Sequence, residues 1–357
     1  MEIQSLLKKA RHLKASDLHL ITNAAPLVRI DGALQPLDSH HKLIPEDISE
    51  ALFQLTTPTQ REAFFHQMEL DFAYVLPGVG RLRCNACHQQ GSISINIRFL
   101  SPVIPTIDEL GLPQILKDLI MRPRGLVIVT GPTGSGKTTT LAAMLHHLNN
   151  KSHRYIITIE DPIEYTHDGI KSALSQRELG ADTLSFATAL KYVLRQDPDV
   201  ILVGEMRDLE TAAAVLSVAE TGHLVLSTGH APSAAQSVER IVDLFPPHER
   251  PLTQARLASV LLVVLCQVLV PRVGGGRVAA VEIMLGNPAV KNLIREGRIH
   301  LLPNTIRTHA DSGMQTLDQA LIALYFKGII DWATVLAWCQ DEEEVRKLVG
   351  EIKVKAR

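Results

Sequence analysis

Leu126-Val127-Ile128-Val129-Thr130-Gly131-Pro132-Thr133-Gly134-Ser135-Gly136-Lys137-Thr138-Thr139 is the stretch on which the reading of this chain turns. The apolar run Leu126 to Thr130 describes a strand buried on both faces, the mark of a parallel sheet covered by helices. Gly131 to Thr138 fits G-x-x-x-x-G-K-[ST], directly after that strand and opening a helix expected to run to Asn150, which is the context a phosphate loop requires. Glycines let consecutive backbone N–H groups face one concavity, and the helix N-terminus adds positive potential. Lys137 then reaches the β- and γ-phosphates, and the Thr138 hydroxyl suits Mg²⁺. Thr133, Gly134, Ser135, Gly136 and Thr139 complete the expected nucleotide contacts.

Working toward the C-terminus, further apolar strands alternate with helices: strands Tyr155 to Ile159, Val200 to Val203 and Leu224 to Ser227, helices Ser185 to Gln196 and Asp208 to Glu220. This alternation predicts an α/β domain with a parallel sheet. Hydrolysis needs carboxylates at the carboxyl ends of such strands. Two candidates qualify: Glu160-Asp161-Pro162-Ile163-Glu164 after the first strand, and Gly204-Glu205 after the second, where an Asp is usual. His230 ends the third strand and His223 begins it; imidazole can donate to phosphate in either protonation state near neutral pH.

Toward the N-terminus the pattern differs. An amphipathic helix from Ile3 to about Ser16 precedes short strands at Asp17 to Ile21 and Leu27 to Ile30, closed by the turn Asp31-Gly32. Helices follow near Pro45 to Leu55 and Thr59 to Gln67, then strands Glu69 to Leu76, Arg81 to Gln89 and Ser92 to Phe99, whose tight turns make them antiparallel. Residues 1–100 thus read as a small α+β domain. Ser101 to Pro113, with Pro102, Pro105 and Pro113, reads as a semi-rigid linker, and 114–357 as the second domain.

Composition narrows the function. At 357 residues, two or three domains are expected. Lys plus Arg is 36 and Asp plus Glu 38, a net charge of −2 with 4% aromatics, which disfavours nucleic acid as a partner. No export signal is visible at the N-terminus, so a cytoplasmic protein is expected. The apolar run Val260 to Val270 contains Gln267 and falls short of a membrane span. Cys84-Asn85-Ala86-Cys87-His88 matches a haem-attachment pattern, but it lies in an alternating strand that turns the two thiols to opposite faces, and no second C-x-x-C completes a zinc site. Neither haem nor zinc is expected.

These residues together resemble the secretion ATPase superfamily that powers type II secretion and type IV pili, its pilus-retraction (twitching-motility) branch above all. The resemblance runs from Ser16-Asp17-Leu18-His19-Leu20 to Gly313-Met314-Gln315-Thr316-Leu317-Asp318-Gln319, through Pro77-Gly78-Val79-Gly80-Arg81, Ile159 to Tyr165, Arg195-Gln196-Asp197-Pro198-Asp199, Gly204-Glu205-Met206-Arg207-Asp208 and Thr221-Gly222-His223-Leu224-Val225. It implies a PAS-like N-terminal domain joined to a RecA-like P-loop ATPase domain with a helical C-terminal part. It further implies a cytoplasmic homohexamer at the base of the pilus machine, hydrolysing ATP with Mg²⁺ and acting on the inner-membrane platform protein, with a paralogous retraction ATPase as a further partner. By the same resemblance Glu164 is the base that deprotonates water, with Glu160 in the same acidic box. Glu205 is the metal-side glutamate, and His223 and His230 form a histidine box. Arg98, with Arg81 or Arg83, closes on the phosphates.

Two features qualify the resemblance. Ala289-Val290-Lys291-Asn292-Leu293-Ile294-Arg295-Glu296 is similar to the retraction signature A-I-R-N-L-I-R-E, whereas the four-cysteine zinc insert of the extension branch is not matched. The histidine box, usually T-L-H-T, here reads Thr228-Gly229-His230-Ala231. That departure leaves open an accessory paralogue or a weakly active scaffold; a nucleic-acid translocase is a more distant alternative.

Overall fold

The computed structural model describes residues 2–30, 32–37, 42–101 and 103–355; Asp31 of the expected turn and Pro102 of the expected linker lie outside them. The chain divides into two compact units, Met1–Val103 with Glu164–Thr166, and Ile104–Ile163 with His167–Arg357.

In the first unit the order is α1 (Ile3–His12), β1 (Asp17–Leu20), β2 (Leu27–Ile30), β3 (Ala33–Pro36), α2 (Pro45–Leu55), α3 (Pro58–Gln67), β4 (Glu69–Leu76), β5 (Gly80–Gln89) and β6 (Ser92–Phe99). The strands form one antiparallel sheet in the order β3-β2-β1-β6-β5-β4. Ile3, Leu7 and Ala10 of α1, with Ile48 and Leu52 of α2, bury against Leu18, Leu82, Ile95 and Ile97 of the sheet. Strand β3 is missing from the sequence reading because its side chains are all exposed and carry no alternation.

The second unit holds α4 (Ile115–Ile120), β7 (Gly125–Thr130), α5 (Lys137–Lys151), β8 (Tyr155–Glu160), β9 (Ala173–Glu178), α6 (Phe186–Val193), β10 (Val200–Val203), α7 (Leu209–Glu220), β11 (Leu224–Thr228), α8 (Ala234–Asp243), α9 (Arg250–Val260), β12 (Leu261–Pro271) and β13 (Arg277–Leu285). Helices α10 (Pro288–Arg295), α11 (Leu302–Thr308), α12 (Leu317–Phe326), α13 (Trp332–Trp338) and α14 (Glu342–Lys355) follow. The sheet order is β13-β12-β7-β11-β10-β8-β9, parallel throughout except for β13. Alternation along β7 divides its side chains between two cores. Leu126 and Ile128 meet α7 and α8, while Val127 and Val129 meet Leu141, Met144 and Leu148 of α5. This is the α/β class expected from the apolar strands. The run Val260 to Val270 closes α9 with Val260 and from Leu261 onward is β12, paired with β7. No helix among the described residues is long and apolar enough to cross a membrane.

Helix starts are marked by side-chain caps: Ser185, Asp208, Ser233, Asn287 and Thr316 each accept from a backbone N–H of the first turn. Each is worth about 1 kcal/mol.

Candidate nucleotide site

The loop lies at the carboxyl end of β7, where an open parallel sheet places its ligand crevice. Gly136, at φ +88°, turns the chain into α5, a conformation an L side chain rarely adopts. Lys137 is buried, and its ammonium donates to the carbonyls of Gly131 at 2.8 Å and Pro132 at 3.0 Å, so it already spans the concavity. Thr133 and Gly134 are exposed at the tip, Thr138 and Thr139 are half-buried on the first turn, and the buried Ser135 hydroxyl has no hydrogen-bond partner among the described residues.

Strand β10, which delivers Glu205, is not beside β7: β11 lies between them. At about 4.8 Å per strand the acid therefore approaches the crevice from about 10 Å to one side. His230 leaves the end of the intervening strand, and its Nε2 stands 3.0 Å from Oε2 of Glu205. A carboxylate only accepts, so Nε2 carries the proton. The other oxygen of Glu205 pairs with Arg207, so the carboxylate is held from both sides. Arg207 has no place among the expected site residues, although a cation two residues after a strand-end acid is a readable signal.

The remaining candidates sit as follows. Glu160 closes β8 and accepts from Thr158 at 2.6 Å and from Gln176 at 3.2 Å, tying β8 to β9. Glu164 falls with the first unit in the division of the chain. In that unit's sheet Arg29, Asp17, Arg98 and Arg83 are register partners across β2, β1, β6 and β5, and so share one face. Arg98 donates to Asp17 at 2.9 Å. Burial acts to raise the Asp17 carboxyl, but hydrogen bonds from Arg98 and Ser16, with the Arg98 charge, hold it below its usual value.

Within the chain His223 stands apart from the loop. It begins β11, at the opposite end from the loop, roughly 15 Å away along five residues of strand. Its Nδ1 lies 3.2 Å from Val218 O and 3.0 Å from Thr221 Oγ1, and its carbonyl accepts from Gly125, so it closes the turn after α7. Cys84 is buried in the first core, its thiol pushed up to about 12 by burial, whereas Cys87 faces Ser94.

A parallel sheet carrying a phosphate loop, with acid and histidine paired at its carboxyl edge, defines the class of P-loop ATPases. Residues 81–284 match the family described as Type II/IV secretion system protein, and the chain belongs to that family. It is 45% identical, over 92% of its length and 96% of the relative's, to the type IV pilus retractation ATPase PilT of Pseudomonas aeruginosa. To the type IV pilus ATPase PilU of that organism it is 40% identical, over 98% of its length and 91% of the relative's. The crystal structure of the pilus retraction motor PilT with bound ADP superposes with a TM-score of 0.91 at 41% identity, covering 97% of this chain and 99% of that one.

Proposed function

We propose that this chain is a hexameric motor that hydrolyses ATP to retract type IV pili, acting through the platform protein of the inner membrane. The observation that carries the reading is the likeness to a retraction motor along both whole chains, 97% and 99%, at a TM-score of 0.91.

In this reading the loop amides and Lys137 bind the phosphates, the ammonium exchanging the carbonyls of Gly131 and Pro132 for phosphate oxygens. A hydroxyl and a carboxylate are hard oxygen donors, so Thr138 and Glu205 fit Mg²⁺, which supplies charge neutralisation when bound. Glu205, steadied by Arg207 and His230, is the acid that serves the crevice from the strand beyond β11. Glu164 orients and deprotonates the attacking water, and Glu160 stiffens the strand before it. Arg98 and Arg83 bring guanidinium charge to the phosphates of the assembled ring, a contribution of about 10³ to 10⁵ in rate where such groups act.

Lys137→Ala is expected to abolish ADP binding in calorimetry, while Glu164→Gln keeps binding and loses phosphate release. Parental turnover in Glu164→Gln would reassign the base.

A second reading, an accessory ATPase working beside a principal one, is favoured by Gly229. A cavity of about 350 Å³ opens there, lined among others by Ile128, Met206, Ser237 and Ile241. A Cβ on Gly229 would stand 3.3 Å from Thr130 Oγ1 and 3.7 Å from Ser237 Oγ, so the leucine of the usual box would press on Thr130 and the glycine here loosens that packing beside His230. Phosphate release by the pure protein separates the readings: robust turnover favours the principal motor, and turnover only with a second ATPase the accessory one.

A further inference from the structure

The geometry points to Gln267 as a positioning residue for the phosphate loop. The assignment rests on the reading that this loop binds nucleotide. Gln267 is the polar interruption of an otherwise apolar strand and is 2% exposed. A buried amide in such a strand must be paired, and both ends of this one are. Its Oε1 accepts from Thr140 Oγ1, on the second turn of α5, at 2.7 Å, and its Nε2 donates to the carbonyl of Ser135, inside the loop, at 2.6 Å. The orientation of the amide follows from its partners: a carbonyl only accepts, so Nε2 faces Ser135, and the Thr140 hydroxyl donates to Oε1.

The loop is also moulded on this residue. A Cβ on Gly131 would stand 2.2 Å from the Gln267 carbonyl oxygen, and one on Gly136 would stand 2.9 Å from its Nε2. Gly131 is therefore required by the close approach of the β12 backbone, and Gly136 by its φ of +88° beside the Gln267 amide.

The consequence for binding comes from peptide geometry. In a planar trans peptide C=O and N–H point in opposite directions. Drawing the Ser135 carbonyl toward β12 turns the Gly136 N–H away from it, toward the concavity where phosphate oxygens are received. Gln267 touches no phosphate; it acts by holding one donor in the direction that binding requires, and by clamping the loop to the helix that opens from it.

The test is ADP titration by calorimetry on the full chain, with thermal melts of the nucleotide-free protein. Gln267→Met conserves volume, removes both bonds and strands the Ser135 carbonyl. It is expected to weaken ADP about tenfold and to raise the KM for ATP more than it lowers kcat. Thr140→Val breaks one bond and should weaken ADP about threefold, with Thr140→Ser restoring parental affinity. A lowered melting temperature with unchanged ADP affinity in Gln267→Met makes the residue merely structural and overturns the assignment. Should Gln267→Met fail to fold, the Thr140 pair decides, and parental affinity in Thr140→Val overturns it. If the parental chain itself binds no ADP, the nucleotide reading falls too; parental binding with indifferent variants sinks this inference alone.

Discussion

Glu205 shows how little of a site lies in the identity of one residue. The acid is legible as the residue after an apolar strand, but its partners, Arg207 on the same loop and His230 from the next strand, are set by chain geometry. Removing the imidazole leaves one side of the carboxylate unheld. His230→Ala is expected to lower kcat about tenfold with a smaller change in KM, read from steady-state phosphate release. His167 makes a different prediction. Its ring is buried with Nδ1 unpartnered among the described residues, and burial pushes its pKa down to about 4 from 6.5. A depressed histidine favours the neutral form in the folded state, so stability is held above pH 6.5 and lost as the pH falls toward 4, by up to about 3 kcal/mol. Melting curves across that window should show the loss, and His167→Gln should flatten it.

At the scale of elements, the second unit is knit together by buried acids at helix starts. Glu282 of β13 accepts from the first-turn amide of Ala234 on α8 at 2.6 Å and from the Leu317 amide on α12. Asp318 on α12 accepts from Gln340 at 2.8 Å and Asp341 at 3.0 Å, at the start of α14. Burial raises both carboxyls above their usual values, against these hydrogen bonds. A raised acid favours the protonated folded form, so its stabilisation is complete below the ordinary value, 4.5 for Glu282, and fades as the pH rises through the raised one. Glu282→Gln should therefore melt progressively higher relative to the parent as the pH is raised from about 4.5 toward neutrality, and a constant difference would refute the account. The apolar strands β7, β8, β10 and β11 and the capped helices α6 and α7 were readable because period and caps are local properties. Strands β3 and β9 were not: β3 is wholly exposed, and β9 is mostly half-buried, an edge strand defined by pairing with β8.

The whole molecule carries the prediction about the cell: deleting the gene should leave excess pili that no longer shorten under live imaging, and an absence of pili would point to an extension motor. The loop at 131–138 and the helix it opens could be placed from sequence because phosphate chemistry demands particular residues at fixed spacing. Cys84-Asn85-Ala86-Cys87-His88 could be read as strand because alternation is local, putting one thiol in the core and the other against Ser94. Strand order was decided only in three dimensions. The interposition of β11 between the loop and Glu205 joins His230 to the acid, the parallel run of β11 beside β7 leaves His223 at the opposite end from the loop, and the placing of β12 beside β7 turns Gln267 from an oddity in an apolar run into the support of the loop. Local chemistry is written in adjacent residues; which strands become neighbours depends on burying both faces of the sheet at once, and no single segment contains that information.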